Sequence, residues 1–144
     1  MKVSVILKNK PSGVVATIKP AATIGEAVKT LSSQRIGALV VSNSGHDILG
    51  IVSERDIVQH LGQVGPEILS KTVDTIMTSP VETCFPSETA LEVLARMTQG
   101  RFRHMPVTDS AQEMSGILSI GDVVKARLEE IEAENAAMAD MLSG

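Results

Sequence analysis

The sequence predicts a mixed α/β (α+β) fold in which one β-α-β-β-α unit occurs twice. Two observations support this prediction. The chain aligns with itself without a gap at a shift of 66 residues, and both copies show the same order of apolar runs and helical patterns. A copy of about 60 residues is marginal alone. We therefore expect the two copies to pack around a pseudo-twofold axis as one cooperative domain.

The repeat extends over the whole unit. Its matched pairs include identical and similar residues: Thr17 with Thr83, Pro20 with Pro86, Thr23 with Thr89, Glu26 with Glu92, Leu39 with Met105, Val41 with Val107, Gly50 with Gly116, Ser53 with Ser119 and Asp56 with Asp122. Because one register accounts for all of them, we interpret the pattern as a duplication. We predict copy one over 1–65, copy two over 66–128 and a C-terminal extension over 129–144.

Each copy opens with a short apolar strand, over 14–18 and 81–85, followed by a helix. Thr and Glu three residues apart predict a capping box at each helix start. Apolar residues at helical spacing predict the buried faces, namely Ile24, Ala27, Val28 and Leu31 in copy one and Leu91, Leu94, Ala95 and Met97 in copy two.

Two strands and a final helix complete each copy. The continuous apolar runs 38–41 and 48–52, and 105–107 and 114–118, predict strands buried on both faces. A helix is expected over roughly 54–61 and from 120 onward. Gly62, Gly65 and Pro66 end the first of these helices and open a linker to about Thr72.

Composition narrows the function classes. The net charge of −4 and the absence of Trp and Tyr argue against a nucleic-acid partner. No apolar run reaches the ~20 residues of a membrane span, and the apolar start is too short for a signal peptide. The single Cys84 in an apolar strand predicts a buried, inert thiol. A cytoplasmic location is expected.

Catalytic and metal sites are not predicted. The three histidines, His46, His60 and His104, lack metal-ligand spacing. No P-loop, nucleophile elbow or acid/base pair is present in the sequence. We therefore expect no enzyme activity, no catalytic residue and no catalytic cofactor.

The pattern Gly-apolar-apolar-Ser-x-x-Asp, at a strand-to-helix junction in each copy, is the most informative motif. The N–H groups at a helix start favour phosphate, and Ser53 and Ser119 can donate a hydroxyl to it. The carboxylates of Asp56 and Asp122 suit the two vicinal hydroxyls of a ribose. The alternative is structural, with Ser as the N-cap and Asp as a favourable charge in the first turn.

The repeated unit resembles the CBS domain, and the tandem resembles a CBS pair, or Bateman module. The resemblance covers about residues 1–128 and rests on five segments: Ile36-Gly37-Ala38-Leu39-Val40-Val41, Gly50-Ile51-Val52-Ser53-Glu54-Arg55-Asp56, Asp74-Thr75-Ile76-Met77-Thr78, Arg103-His104-Met105-Pro106-Val107 and Gly116-Ile117-Leu118-Ser119-Ile120-Gly121-Asp122. It implies regulatory binding of AMP, ADP, ATP, NAD or S-adenosylmethionine in two clefts, as in energy sensing.

Position by position, the resemblance implies a set of ligand-binding residues. Asp56 and Asp122 would bind ribose, and Ser53 and Ser119 would lie near phosphate. Thr17 and Thr83 would line the edges of the pockets. Backbone and apolar contacts to the adenine or ribose would come from Ile36, Gly37, Ala38, Phe102, Arg103 and Met105. The candidates for binding phosphate are Arg55, Arg103 and His104.

The two sites are expected to differ. Copy one has Arg55 where copy two has Gly121, and copy two has Arg103 and His104 where copy one has Gly37 and Ala38. Gly37 would admit a ligand close to the backbone, or it marks a bulge at the strand entry. Arg103 and His104 would bind the ligand, or they are a surface charge and a packed polar residue.

The C-terminal pattern continues the last helix from Gly121 through Leu142 with one apolar stripe. A long helix of this kind usually has a partner, so we predict a homodimer; the alternative is a frayed end.

Two functions are compatible with the sequence. The protein is a nucleotide sensor that signals to an unidentified effector protein, or it is a degenerate pair that serves as a dimerisation or interaction scaffold. A different ligand class, a nucleic acid or a metal, is disfavoured by the acidic charge and missing ligand clusters.

Overall fold

A computed structural model describes residues 1–11 and 14–143. Residues 12 and 13 of the predicted first copy, and residue 144 of the predicted C-terminal extension, lie outside the described residues. The elements follow in chain order: α1 (Val3–Lys8), β1 (Thr17–Ile18), α2 (Ile24–Gln34), β2 (Ala38–Val41), β3 (Gly50–Ser53), α3 (Glu54–Val64), two 3₁₀ helices (Pro66–Ser70 and Val73–Thr75), α4 (Ala90–Gly100), β4 (His104–Thr108), β5 (Met114–Ser119) and α5 (Ile120–Ser143). The mixed fold class is confirmed.

The first copy forms a three-stranded sheet in the order β1-β2-β3. β1 pairs parallel to β2, with Ile18 opposite Val41, and β2 pairs antiparallel to β3, with Ala38 opposite Ser53. β2 is buried along its whole length, as its apolar run predicts. The strand expected over 14–18 is reduced to its last two residues, and Val14 is 87% exposed.

The second copy repeats this arrangement with a weaker first strand. β4 and β5 pair antiparallel, with His104 opposite Ser119. In place of the strand expected over 81–85 there is one parallel bridge, in which Cys84 donates its N–H to the Pro106 carbonyl (3.0 Å) and accepts from the Thr108 N–H (2.9 Å). The bridge from Cys84 to Val107 corresponds, at the 66-residue shift, to the pairing of Ile18 with Val41.

Helix α2 begins with the predicted capping box. The Glu26 N–H donates to the Thr23 hydroxyl and the Thr23 N–H to the Glu26 carboxylate, both at 3.1 Å. At α4 the box is half formed, since Thr89 caps the Glu92 N–H at 3.2 Å but the described contacts of Glu92 contain no return bond.

The buried faces of these helices are narrower than the sequence predicts. Ile24, Ala27 and Leu31 are buried in α2, and Met97 is buried in α4. The predictions for Val28, Leu91 and Ala95 were wrong, because these side chains are exposed. Ala90 and Val93 form the buried face of α4 in their place.

There are two cores, one for each sheet, and each is completed by a segment from the other copy, with the copies bounded as predicted from the sequence. The 3₁₀ helices add Ile68 and Val73 to the first core. Helix α1, which the sequence analysis did not predict, adds Val3 and Ile6 to the second core. Its start is anchored to the second copy, since the Val3 N–H donates to the Glu88 carbonyl at 2.8 Å.

Helix α5 has 24 residues and continues without a break well past the second core. Its buried residues, Val123 and Ala126, belong to the first two turns. Further along, Leu128 is 54% exposed and Met138 is 61% exposed. Within residues 1–11 and 14–143, no helix is both long and apolar enough to cross a membrane.

If α1 is part of the second core, Ile6→Ala will lower the free energy of unfolding by about 2–5 kcal/mol, as for other buried Ile truncations. Ile6 is 5% exposed, whereas Val5 on the same helix is 42% exposed. Val5→Ala is therefore the matched control and will change the free energy by no more than about 0.5 kcal/mol. Urea unfolding checks both; equal effects of the two changes would contradict the packing of α1.

Candidate functional site

Two cavities of about 480 Å³ each lie where the copies meet. Cleft 1 combines residues 34–38 of copy one with residues 115–122 of copy two, together with residues of the N-terminal segment. Cleft 2 combines residues 51–59 of copy one with residues 100–104 of copy two. Each cleft thus takes the turn after the first helix from one copy and the strand-to-helix junction from the other.

Most of the predicted site residues are brought together in these clefts. Cleft 1 contains Ile36, Gly37, Ala38, His104, Ser119 and Asp122. Cleft 2 contains Gly37, Ser53, Arg55, Asp56, Phe102, Arg103 and His104.

Three predicted residues do not line either cleft. Thr17 pairs with Val40 in the sheet, and the Thr83 carbonyl accepts a hydrogen bond from Arg96 at 2.9 Å. Met105 is fully buried in the second core. The predicted approach of Met105 to a ligand, through backbone and apolar contacts, stays a prediction, because burial of the side chain does not test the backbone part of it.

The Ser-x-x-Asp motif forms a capping box at the start of α3. The Asp56 N–H donates to the Ser53 hydroxyl oxygen (3.2 Å), and Oδ2 of Asp56 accepts from the Ser53 N–H (3.0 Å) and hydroxyl (2.9 Å). At the start of α5 the Ser119 N–H donates to Oδ2 of Asp122 at 2.9 Å. The structural alternative is therefore present, but it engages one oxygen of each carboxylate. Among the described residues Oδ1 of both aspartates has no partner.

Lys10 reaches into cleft 1 from the segment that follows α1. Its ammonium lies 2.9 Å from Oδ2 of Asp122 and donates to the Ile117 carbonyl at 2.8 Å. Lys10 was not predicted as a site residue because it falls on an unlike residue, Ile76, at the 66-residue shift and is more than a hundred residues from its partners. Cleft 2 has no counterpart of this contact among the described residues, since Asp56 forms no ion pair there.

This contact changes the electrostatics of Asp122. Partial burial of the carboxyl raises its pKa, but the hydrogen bonds from Lys10 and Ser119 and the charge of Lys10 together outweigh burial. The pKa of Asp122 is therefore held below its usual value, and the carboxylate is ionised at neutral pH.

His104 lies in the wall shared by both clefts. A Cβ on Gly37 would lie 3.3 Å from Cε1 of the imidazole. Such a contact is tight, so Gly37 permits the close approach of the two copies at this point. Burial lowers the pKa of His104; Lys10 and Arg103 lower it further, and the carboxylates of Glu54 and Asp122 oppose them.

Two arginines that were not among the predicted site residues also line the clefts. Arg35, in cleft 1, and Arg101, in cleft 2, end α2 and α4 in left-handed backbone conformations with φ near 55° and 57°. This conformation is uncommon for residues other than glycine and asparagine. Their identical position in the two copies was the signal that could have identified them.

Cys84 does not line either cleft. Cys84 is 1% exposed, as predicted, and burial raises the pKa of its thiol to about 12, with Glu88 raising it further and Arg96 opposing. In the part of the chain that the structure describes, no group of three His, Cys, Asp or Glu side chains is placed to hold a metal ion.

Comparisons with known proteins agree with this architecture. The family model described as CBS domain matches residues 8–63 and 73–129. A CBS-domain containing protein from Agrobacterium tumefaciens is 41% identical, with a TM-score of 0.83 over 88% of this chain and 99% of that one. The mitochondrial CBS domain-containing protein CBSX3 of Arabidopsis thaliana is 36% identical over 78% of this chain, which spans 56% of the plant protein.

Two further solved structures contain adenosine compounds. A CBS domain protein from Pyrobaculum aerophilum, complexed with AMP, is 26% identical, with a TM-score of 0.74 over 85% of this chain and 89% of that one. A CBS domain pair in complex with 5′-methylthioadenosine and S-adenosylmethionine is 27% identical, with a TM-score of 0.76 over 88% of this chain and 98% of that one.

The position of His104 predicts how stability depends on pH. Since its pKa is below about 6.5 in the folded protein and near that value in the unfolded chain, the unfolded chain binds the proton first as pH falls. The free energy of unfolding will thus decrease as pH falls from about 6.5 towards the folded-state pKa. NMR titration of the imidazole will check this, with His104→Gln to assign the resonance; a pKa at or above 6.5 would contradict it.

Proposed function

The chain belongs to the CBS domain family, and we propose that it is a regulatory module that binds an adenine nucleotide in the two clefts between its CBS domains. The observation that carries the proposal is the pair of Ser-x-x-Asp junctions. Each presents a carboxylate with an unengaged oxygen beside the start of a helix. That combination suits a ribose and a phosphate of the same ligand.

In this proposal Asp56 and Asp122 accept hydrogen bonds from the ribose hydroxyls through Oδ1. The capping bonds to Oδ2 keep each carboxylate in one orientation before ligand arrives, which reduces the entropy lost on binding. The phosphate lies towards the first turn of α3 or α5, directly after Ser53 or Ser119.

The purine would rest on apolar side chains. Ile36 and Ile117 line cleft 1, and Ile51 and Phe102 line cleft 2, at positions equivalent under the repeat. AMP, ADP, ATP and NAD share the adenosine part that these surfaces fit. The AMP bound to the Pyrobaculum relative, and the adenosyl compounds bound to another CBS pair, support an adenosine-containing ligand.

The way in which ligand binding would regulate the protein follows from the two copies that form each cleft. Because each cleft has walls from both copies, a ligand that prefers one arrangement of the copies shifts the population towards it by its difference in affinity. We propose that an effector protein reads this change. The alternative is a degenerate pair that serves as a scaffold without a tightly bound ligand.

We also propose that the chain forms a homodimer through α5. The apolar side chains along this helix are exposed in the single chain: Val124, Leu128, Ile131, Met138, Met141 and Leu142. Contiguous exposed apolar side chains of this kind usually mark an interface. A second copy of the same helix would bury them by symmetry.

Replacing either aspartate will remove one ribose contact and weaken binding at one cleft. Asp56→Ala and Asp122→Ala will each reduce the stoichiometry for AMP seen by calorimetry from two towards one, and the double variant will abolish binding. Asp140→Ala, at an exposed position of α5 remote from the clefts, is the matched control. If both single variants bind like the parent, the ribose assignment is wrong; if the parent binds no adenine nucleotide, the scaffold alternative is favoured.

A charge in the α5 stripe will weaken the dimer. Leu128→Lys places an ammonium in the apolar surface, whereas Glu129→Lys introduces the same group at the neighbouring exposed position. Light scattering will show a fall in mass for Leu128→Lys, and at least a tenfold weaker dimer, with little change for Glu129→Lys. An unchanged mass for both variants would reject α5 as the interface.

A further inference from the structure

The contact between Lys10 and Asp122 distinguishes cleft 1 from cleft 2. It joins the N-terminal segment to the carboxylate that is proposed to bind ribose, and it has no counterpart under the repeat, where Ile76 stands 66 residues after Lys10. Both side chains are 24% exposed, so the pair is partly shielded from water. An interaction of this kind is screened less than one on the open surface.

Packing of α1 positions Lys10 at the cleft. Val3 and Ile6 are buried in the second core, and Leu7 lies directly over Gly116, where a Cβ would come within 2.8 Å of Leu7 Cδ2. The chain turns immediately afterwards, and the Lys10 N–H donates to the Leu7 carbonyl at 3.3 Å. The packing of α1 against the second core therefore places the backbone of Lys10 beside cleft 1, where its ammonium contacts Asp122 and Ile117.

The charges around the two clefts differ as a result. The wall of cleft 1 has two cations, Lys10 and Arg35, and one carboxylate, Asp122. The wall of cleft 2 has three arginines and three carboxylates: Arg55, Arg101, Arg103, Glu54, Asp56 and Glu82. Among the described residues, cleft 1 thus has an excess of positive charge, whereas the charges of cleft 2 balance.

We propose that Lys10 is a specificity-determining residue that makes cleft 1 prefer adenosine ligands carrying phosphate over the uncharged nucleoside. A ribose hydroxyl on Asp122 Oδ1 places the nucleotide beside the ammonium on Oδ2. The 5′-phosphate of that nucleotide lies closer to its ribose hydroxyls than the screening length of about 8 Å at physiological salt. Lys10 thus attracts the phosphate and offsets the repulsion that Asp122 alone would exert.

The inference rests on the proposed function, and the test separates the two. The substitution Asp56→Ala is used to weaken binding at cleft 2, so that calorimetry gives the dissociation constants of AMP and adenosine at cleft 1. In this background Lys10→Met will reduce the preference for AMP over adenosine by about tenfold, the effect of one partly shielded charge. Lys10→Arg keeps the charge and will retain most of the preference. Lys8→Met removes an exposed lysine of α1 and will leave the preference unchanged.

A second measurement needs no ligand. Carboxyl NMR of the unliganded protein will show a rise in the pKa of Asp122 in Lys10→Met and no rise in Lys8→Met.

Three results would overturn the inference. If AMP and adenosine bind but their ratio is the same with and without Lys10, Lys10 does not determine specificity and the proposed function stands. If the pKa of Asp122 does not rise in Lys10→Met, the ion pair is absent in solution. If neither compound binds the parent or any variant, the proposed function fails and the inference fails with it.

Discussion

The bond from a serine N–H to an aspartate carboxylate, at the junction of the last strand and last helix of each copy, is the constraint on which both clefts depend. It is 3.0 Å long at Ser53 and 2.9 Å at Ser119. The bond ends a buried strand, starts a helix and fixes a carboxylate at the boundary between copies. A capping box usually stabilises only the start of the helix. Here the contacts found among the described residues engage Oδ2 alone, so under the proposed function the same side chain would both stabilise the fold and bind ribose through Oδ1.

Much of this arrangement could be predicted from the sequence because it depends on local contacts. The N-caps at Thr23 and Ser53, the buried run of β2 and the continuous α5 all follow from residues a few positions apart. The gapless 66-residue shift then placed the second copy. The prediction that Val28 is buried was wrong. Helical periodicity defines an apolar stripe but does not show how much of that stripe a neighbouring element covers.

The features that were missed depend on contacts distant in sequence. Helix α1 has only six residues and no capping side chain, so it is stabilised by burial of Val3 and Ile6 against the second copy. Lys10 meets Ile117 across 107 residues. Duplication made the two clefts similar, but a position that differs between the copies, Lys10 against Ile76, makes them different. The inequality between the clefts therefore comes from the N-terminal segment as well as from substitutions within the repeat.

The wall between the clefts includes residues that line both cavities. His104 faces both cavities, and it packs on Gly37, which also faces both. The Gly37 carbonyl in turn accepts the Glu54 N–H at 2.9 Å, at the start of α3, where Asp56 is held. A side chain on Gly37 would crowd the imidazole, so the absence of a Cβ keeps this wall thin. The two clefts therefore share a wall that contains His104 and Gly37, and the Gly37 carbonyl ties this wall to the start of α3.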